Sequence, residues 1–334
     1  MSPAKAAHLS VMEIDVAVIG AAGVDTLVYL PDSEWDPNRD STMVHTVDAV
    51  GQAGAFTARG FARLGWRTGF IGVLGDDWAG AAVRTAFAHD RVRIVAESLD
   101  PQGTARSVNL MTPDGRRRAF YDGRGHMTAP LPQPASVLLD QKPRLALFHL
   151  SDWCRRLLPA NRIDDMLVAV DLQDVERPDD AYRADFVAAA DVVFASAANL
   201  ADPVAAAHAW LGPDGDNAGG RPRLVVLGLG VRGAAAITRR AEVTVPPPPL
   251  DLPIVDTNGA GDALATGVLD WLLHRGAAAT ALPALTSSDL ADALTRGQCL
   301  ARWTSQISGS DGLATRADLA VMLSQLGAAQ QSVD

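Results

Sequence analysis

From Leu145 onward the chain repeats one hydrophobic pattern, in which a short run of consecutive apolar residues is followed by a longer alanine-rich and polar stretch. The runs are LALFHL, LVAVDL, DVVFAS and LVVLGLG, each of strand length. Unbroken apolar character, rather than alternation, suits strands covered on both faces. Segments between them, such as Ala181 to Ala190 and Ala201 to Leu211, have helical composition. Strands alternating with helices predict a mostly parallel, doubly wound sheet. The N-terminal half begins in the same way, because DVAVIG at Asp15 to Gly20 predicts a buried central strand. A helix is predicted over Val50 to Gly65, with Ala55, Ala58, Phe61, Ala62 and Leu64 supplying its buried face. TGFIGVLGDDWAGAAVRTAF then reads as strand, turn and helix. Between these lie weaker strand patterns, TLVYLP and Ser41 to Asp48. Thr104 to Met111 and Arg118 to Tyr121 flank the turn residues Pro113, Asp114 and Gly115, which predicts a hairpin.

The stretch Ile254 to Arg275, IVDTNGAGDALATGVLDWLLHR, reads as the end of a buried strand, a glycine turn and a helix stopped by Gly276. A helix N-terminus presents unpaired N–H groups and the positive end of the macrodipole, which bind phosphate. Asp262 sits just inside that end. A carboxylate beside an anion site suits a base that takes a proton from a hydroxyl attacking phosphorus. The competing structural reading is a helix cap from Asp256 or Asp262.

The full DTNGAGD resembles the C-terminal signature of the ribokinase-like (PfkB-type) sugar and nucleoside kinases, and the GDDWAG turn with Gly75, Asp76, Asp77 and Gly80 resembles their N-terminal one. The resemblance runs from Ile14 to about Leu319 and implies a three-layer α/β/α fold with a small β-sheet lid. The kinase domain would span 11–325, with lid segments at about 26–50 and 104–123 and a loose tail at 1–10. The resemblance makes Asp262 the base and Gly259, Ala260 and Gly261 the anion hole. It gives Asp25, Gly51, Gln52 and Arg106 to the acceptor. Ser196, Asn199, Gly228, Gly230, Gly233 and Asn258 fall on the nucleotide side, where ATP and Mg²⁺ are expected. A glutamate that helps to position magnesium in the family is replaced by Asn199. Gln52 stands where the family has the second of two sugar-binding glycines, Phe56 where it has an asparagine, and Gly23 where it has another, which disfavours ribose. Asp251 does not align with the family's monovalent-cation residue, so that cation stays open. The last long helix, expected near Ser288 to Ile307, and the loop Ser308 to Gly312 lie where the family builds its adenine pocket.

Composition narrows the partners. A net charge of −10 offers no basic field for nucleic acid or an anionic membrane. Cys154 and Cys299 lack metal-ligand spacing and read as free thiols of a cytoplasmic protein. No histidine cluster argues for a metal site. Most of Arg116, Arg117, Arg118 and Arg124 read as a solvated hairpin tip, with binding of a substrate phosphate as the alternative. The expected activity is transfer of the ATP γ-phosphoryl group to a hydroxyl, primary by expectation, of a sugar or sugar-like molecule. Two alternatives stand: a nucleoside kinase using Phe56, Tyr121 or Trp153 to stack on a base, and a ligand-binding pseudokinase. A homodimer through the lid is open on the family pattern.

Overall fold

The structure is a computed structural model of the 334-residue chain. It describes residues 13–32, 38, 40–113, 117–126, 128–133, 136–159, 166–212 and 222–331. The expected tail and the hairpin tip with Asp114, Gly115 and Arg116 lie outside the described residues.

The N-terminal part contains β1 (Val16–Ile19), β2 (Gly23–Tyr29), β3 (His45–Gly51), α1 (Ala53–Arg63), β4 (Thr68–Leu74), α2 (Trp78–Asp90), β5 (Arg93–Leu99), β6 (Arg106–Met111) and β7 (Arg117–Asp122). After it come α3 (Ser136–Asp140), β8 (Leu145–His149), α4 (Asp152–Arg155), β9 (Leu167–Asp174), α5 (Ala184–Ala189), β10 (Val192–Ser196) and α6 (Pro203–Leu211). The chain continues through β11 (Leu224–Gly228), β12 (Ala234–Ile237), β13 (Glu242–Val245), α7 (Ala260–His274), α8 (Ser287–Thr304) and α9 (Arg316–Gln331).

The large sheet has the order β13-β12-β11-β10-β9-β8-β1-β4-β5. From β11 through β5 every neighbour is parallel, and β12 and β13 add an antiparallel edge. The unbroken apolar runs have the predicted cause. Successive residues of β1 feed opposite layers: Val16 and Val18 pack with Phe61, Leu264 and Leu294 on one face, and Ala17 and Ile19 join Trp153, Phe186 and Trp210 on the other. The second sheet, ordered β3-β2-β6-β7, is the lid. Strands β2 and β3 leave the large sheet at the end of β1 and return directly into α1, and β6 and β7 follow the end of β5, so the lid stands over the carboxyl edge of the parallel strands.

Two expectations need correction. No strand precedes the glycine turn, since residues 246–256 lack regular structure and Ile254 and Val255 are 65% and 45% exposed. Pro246 to Pro249 and Pro253 remove the donors a strand would need, and the amides of Val255 and Asp256 bond instead to the Ser305 carbonyl, at 2.8 and 3.1 Å. Second, α8 is followed by a further long helix, α9. It is tied to α7 through Asp270, which has no exposed side-chain surface and accepts two bonds from Arg316 at 2.6 and 2.7 Å. No helix among the described residues is long and apolar enough to cross a membrane. Both cysteines are buried and free.

Candidate active site

The strands β1, β8, β9, β10 and β11 all finish on one edge, at Gly20, His149, Asp171 to Asp174, Ser196 and Gly228. Ligands of doubly wound sheets bind outside this edge. Here α7 presents its N-terminus. Gly259 precedes it with φ +74°, ψ 0°, a left-handed conformation that glycine takes without steric cost. A Cβ there would come within 2.4 Å of the Phe56 ring. Phe56 is thus the buried support beneath the turn, 4% exposed, and does not stack on a ligand. On the other side, a Cβ on Gly261 would meet nothing within 4 Å. The Ala260 amide donates to the Thr257 carbonyl at 3.2 Å, which leaves the amides of Gly259 and Gly261 as the candidates for an anion at this turn.

No side chain caps α7. Asp256, 1% exposed, instead accepts from the amide of Asn258 at 2.8 Å and from that of Gly309 at 2.9 Å. It fixes the loop rather than the helix. Asp262 is half-buried in the first turn of α7, and its neighbours are unusual. One ligand-type atom each from His149, Asp171 and Asp262 lies within 4.8 Å of the others. The parallel register of β8 and β9 pairs His149 with Asp171. Burial, then the charge of Asp171, hold the Asp262 carboxyl well above the usual carboxylate range, with Asp25 adding to this and Arg117 opposing it. Asp171 is likewise raised, by burial first and by Asp174. Burial pushes His149 down to about 3, so this imidazole is neutral. Its Nε2 lies 3.0 Å from Thr57 Oγ1, while its Nδ1, 3.7 Å from Asp171, has no hydrogen-bond partner. The donor types would suit a divalent cation, but an ion there would engage the lone pairs a base needs. Two carboxylates this close also raise each other's affinity for a proton.

The lid supplies the opposite wall. Strand register places three rows on one face: Asp25, Ser107 and Tyr121; then Leu27, Asn109 and Ala119; then Tyr29, Met111 and Arg117. Asp25 is buried and its Oδ1 accepts from Gln52 Nε2 and Ser107 Oγ, both at 2.6 Å. It is therefore no turn aspartate. Burial raises its pKa, against these two bonds. Gly51 is a steric requirement, because a Cβ would sit 2.0 Å from Asp25 Oδ2. Gln52 adopts φ +75°, ψ 149°, a region essentially reserved for glycine and costing a non-glycine residue about 1–3 kcal/mol. That conformation aims its amide at Asp25.

Arg106 does not join this group. It pairs with Val24, one step out of phase with Asp25, and its guanidinium stacks 4.6 Å above Trp78, outside the acceptor face. The residue in phase is Ser107, which sequence reasoning missed, although strand alternation offered the parity. Arg117 was missed as well. Its Nη1 crosses from the lid to donate to Asn258 Oδ1, and its charge acts on both Asp25 and Asp262. Trp153 is fully buried among core residues and cannot stack on a base, whereas Tyr121 is 48% exposed beside Asp25.

On the nucleotide side, Ser196 ends β10 and Asn199 is exposed just beyond it. A Cβ on Gly230 would meet nothing within 4 Å and one on Gly228 only ordinary contacts with Leu264 and the Ala195 carbonyl, at 3.9 and 4.0 Å, while a Cβ on Gly233 would meet the Val245 carbonyl at 2.1 Å, which gives that glycine a packing role. Asp77 of the N-terminal signature caps α2 through the Gly80 amide at 2.8 Å and also bonds Thr104, a structural duty.

A lidded, mostly parallel α/β/α fold with a glycine turn at a helix N-terminus facing the lid has the architecture of a small-molecule phosphotransferase. The chain belongs to the PfkB family of carbohydrate kinases, whose model matches residues 13–315. It is an ATP-dependent sugar kinase with a hydroxyl acceptor. An acarbose 7(IV)-phosphotransferase of Actinoplanes sp. is 36% identical over 264 residues, covering 76% of this chain and 84% of that protein. An aminoimidazole riboside kinase of Salmonella typhimurium is 30% identical over 284 residues, covering 76% and 79%. Among solved structures, a microbiome-derived acarbose kinase matches with a TM-score of 0.78 at 28% identity, over 93% of this chain and 99% of that one. A ribokinase of Arabidopsis thaliana complexed with ribose and ATP shares the fold, with a TM-score of 0.70 at 17% identity over 93% and 99%.

Proposed function

We propose that Asp262 is the general base of this kinase. The acceptor oxygen forms a bond to the γ-phosphorus of ATP, the bond from that phosphorus to the bridging oxygen of ADP breaks, and the acceptor proton passes to the Asp262 carboxylate. The observation that carries this reading is Asp262 itself, in the first turn of α7 between Asp171 and the lid charges Arg117 and Asp25. Its raised proton affinity makes it a stronger base than a solvated carboxylate. The amides of Gly259 and Gly261 meet the charge on the transferring group. Arg117 and Asn258 tie the lid to that turn. Asp25, oriented by Gln52 and Ser107, holds hydroxyls of the acceptor.

Mg²⁺ would neutralise phosphate charge when bound with ATP. The exposed amide of Asn199 lacks the charge a hard cation prefers. The carboxylate of Asp174, exposed and in register with Ser196 on the neighbouring strand, has the required donor chemistry and would hold the ion's water shell. Paired Val108 and Phe120 leave 40% and 44% of their surfaces exposed on the lid's outer face. They support association of two copies through the lid, which sedimentation of the purified chain would contradict by showing a monomer alone.

The deciding experiment is ADP release from Mg-ATP across sugars, acarbose and nucleosides, with Asp262→Asn in parallel. Tyr121 beside Asp25 keeps nucleosides on that panel. Loss of the base should lower kcat by about 10²–10⁴-fold while ATP binding persists. Equal rates in the two proteins would remove Asp262 from the role.

A further inference from the structure

We infer that the acceptor is a neutral oligosaccharide, one of whose non-reacting rings occupies a cleft at the free end of the lid. The cleft has a volume of about 170 Å³ and runs between Tyr29 and Met111 of the lid and Ile254, Val255 and Thr257 of the loop before α7. An apolar cavity of about 150 Å³ accommodates a six-membered ring, so there is room for one pyranose.

Position relates this cleft to the transfer site. Tyr29 and Met111 lie on the lid face that carries Asp25 and Ser107, two rows further along. Four residues of strand span about 13 Å, so a ring in the cleft is distinct from the ring that offers its hydroxyl to Asp262. On the opposite wall Thr257 adjoins Asn258 and the anion turn. The cleft therefore continues the acceptor site rather than opening elsewhere.

Its chemistry suits a sugar ring. A pyranose has an apolar C–H face and a polar edge, and sites for such ligands combine apolar walls with a few fixed polar groups. Ile254 and Val255 leave 65% and 45% of their surfaces exposed among the described residues. The Tyr29 ring is set in advance, stacked on His45 at 5.7 Å with its hydroxyl 2.5 Å from Ser308 Oγ. Thr257 adds a hydroxyl at the rim. Among the described lining residues none carries a charge, which favours a neutral second ring over a phosphorylated or acidic one.

This inference rests on the reading that the Asp262 site takes a sugar hydroxyl, and its test separates the two. Matched pairs of mono- and disaccharide, namely glucose and maltose, galactose and lactose, fructose and sucrose, are compared as acceptors and, by calorimetry, as ligands. The intact protein, Ile254→Asp and Val255→Asp are used, both substitutions being at exposed positions. At least one disaccharide should exceed its monosaccharide about tenfold in kcat/KM, equivalent to about 1.4 kcal/mol. Either variant should remove that advantage and leave the monosaccharide rate unchanged. The inference is overturned if every pair performs alike, or if both variants slow mono- and disaccharides equally. If no sugar is phosphorylated but a disaccharide binds more tightly and the variants abolish the difference, the cleft assignment stands and the kinase reading of the site fails.

Discussion

Replacing Asp171 by Asn removes one of two carboxylates crowded at the end of β9 and the start of α7, and its consequence can be worked out. Burial raises Asp171 from an ordinary 3.8 to about 6. The folded state therefore binds more protons than the unfolded chain between those values, and stability falls as pH rises through that interval. At about 1.4 kcal/mol per tenfold change in the proton equilibrium, the ionised carboxylate costs the fold about 3 kcal/mol at about pH 8, and roughly half of that at about pH 5. Asn keeps the acceptor for the Gln173 amide, which donates to Asp171 Oδ1 at 2.9 Å. The substitution should therefore stabilise. With an unfolding entropy of about 2.1 cal/mol/K per residue over this chain, 3 kcal/mol corresponds to roughly 4 °C in Tm. Calorimetry at the two pH values reads it directly. The same change withdraws a charge that raises Asp262, so the acid limb of the kcat/KM profile should move to lower pH. A Tm gain equal at both pH values would show that packing, not charge, separates the proteins. An unmoved acid limb would show that Asp171 does not set the protonation of the base.

Other substitutions probe the lid and the turn. Arg106→Ala should leave the acceptor KM unchanged, because its guanidinium lies over Trp78, and should lower stability by about 0.5–1 kcal/mol through the lost cation–π contact; a raised KM would restore it to the acceptor site. Gly259→Ala places a methyl 2.4 Å from the Phe56 ring at φ +74°, so ATP turnover should fall far more than the helix content read by circular dichroism. Unchanged turnover would show that the turn can relax without displacing its amides.

Much of the parallel sheet was legible because doubly covered strands need unbroken apolar runs, and DTNGAGD was legible because a close-approach turn needs glycine. The same rule misread Ile254 and Val255. Apolar residues before a helix usually signal a buried strand, yet here the prolines around them forbid pairing and leave the side chains on a surface. The site's polar network was only partly readable. Asp25 and Gln52 lie near recognisable glycines, but Ser107 meets Asp25 across 82 positions, and the contact of Arg117 with Asn258 spans 141. Such pairings depend on lid register, which short polar strands specify weakly. Helix α9 is anchored by Arg316, which bonds Asp270 and the Leu64 carbonyl, and by Leu319 and Met322 packed against Leu64 and Leu300, partners in distant segments that no local pattern announces.

The rows of the lid also bear on how such an enzyme can change its diet. The residues proposed to hold the acceptor, Asp25 with Gln52 and Ser107, sit where the lid joins the body and are fixed by steric limits at Gly51 and by each other's hydrogen bonds. Ile254 and Val255 stand opposite the far end of the lid on a loop without regular structure, exposed, where substitutions meet few packing constraints. Selection can therefore remodel the reading of a distant ring one residue at a time and leave the chemistry of transfer untouched. A lid built in this way separates what must stay constant from what is free to diverge.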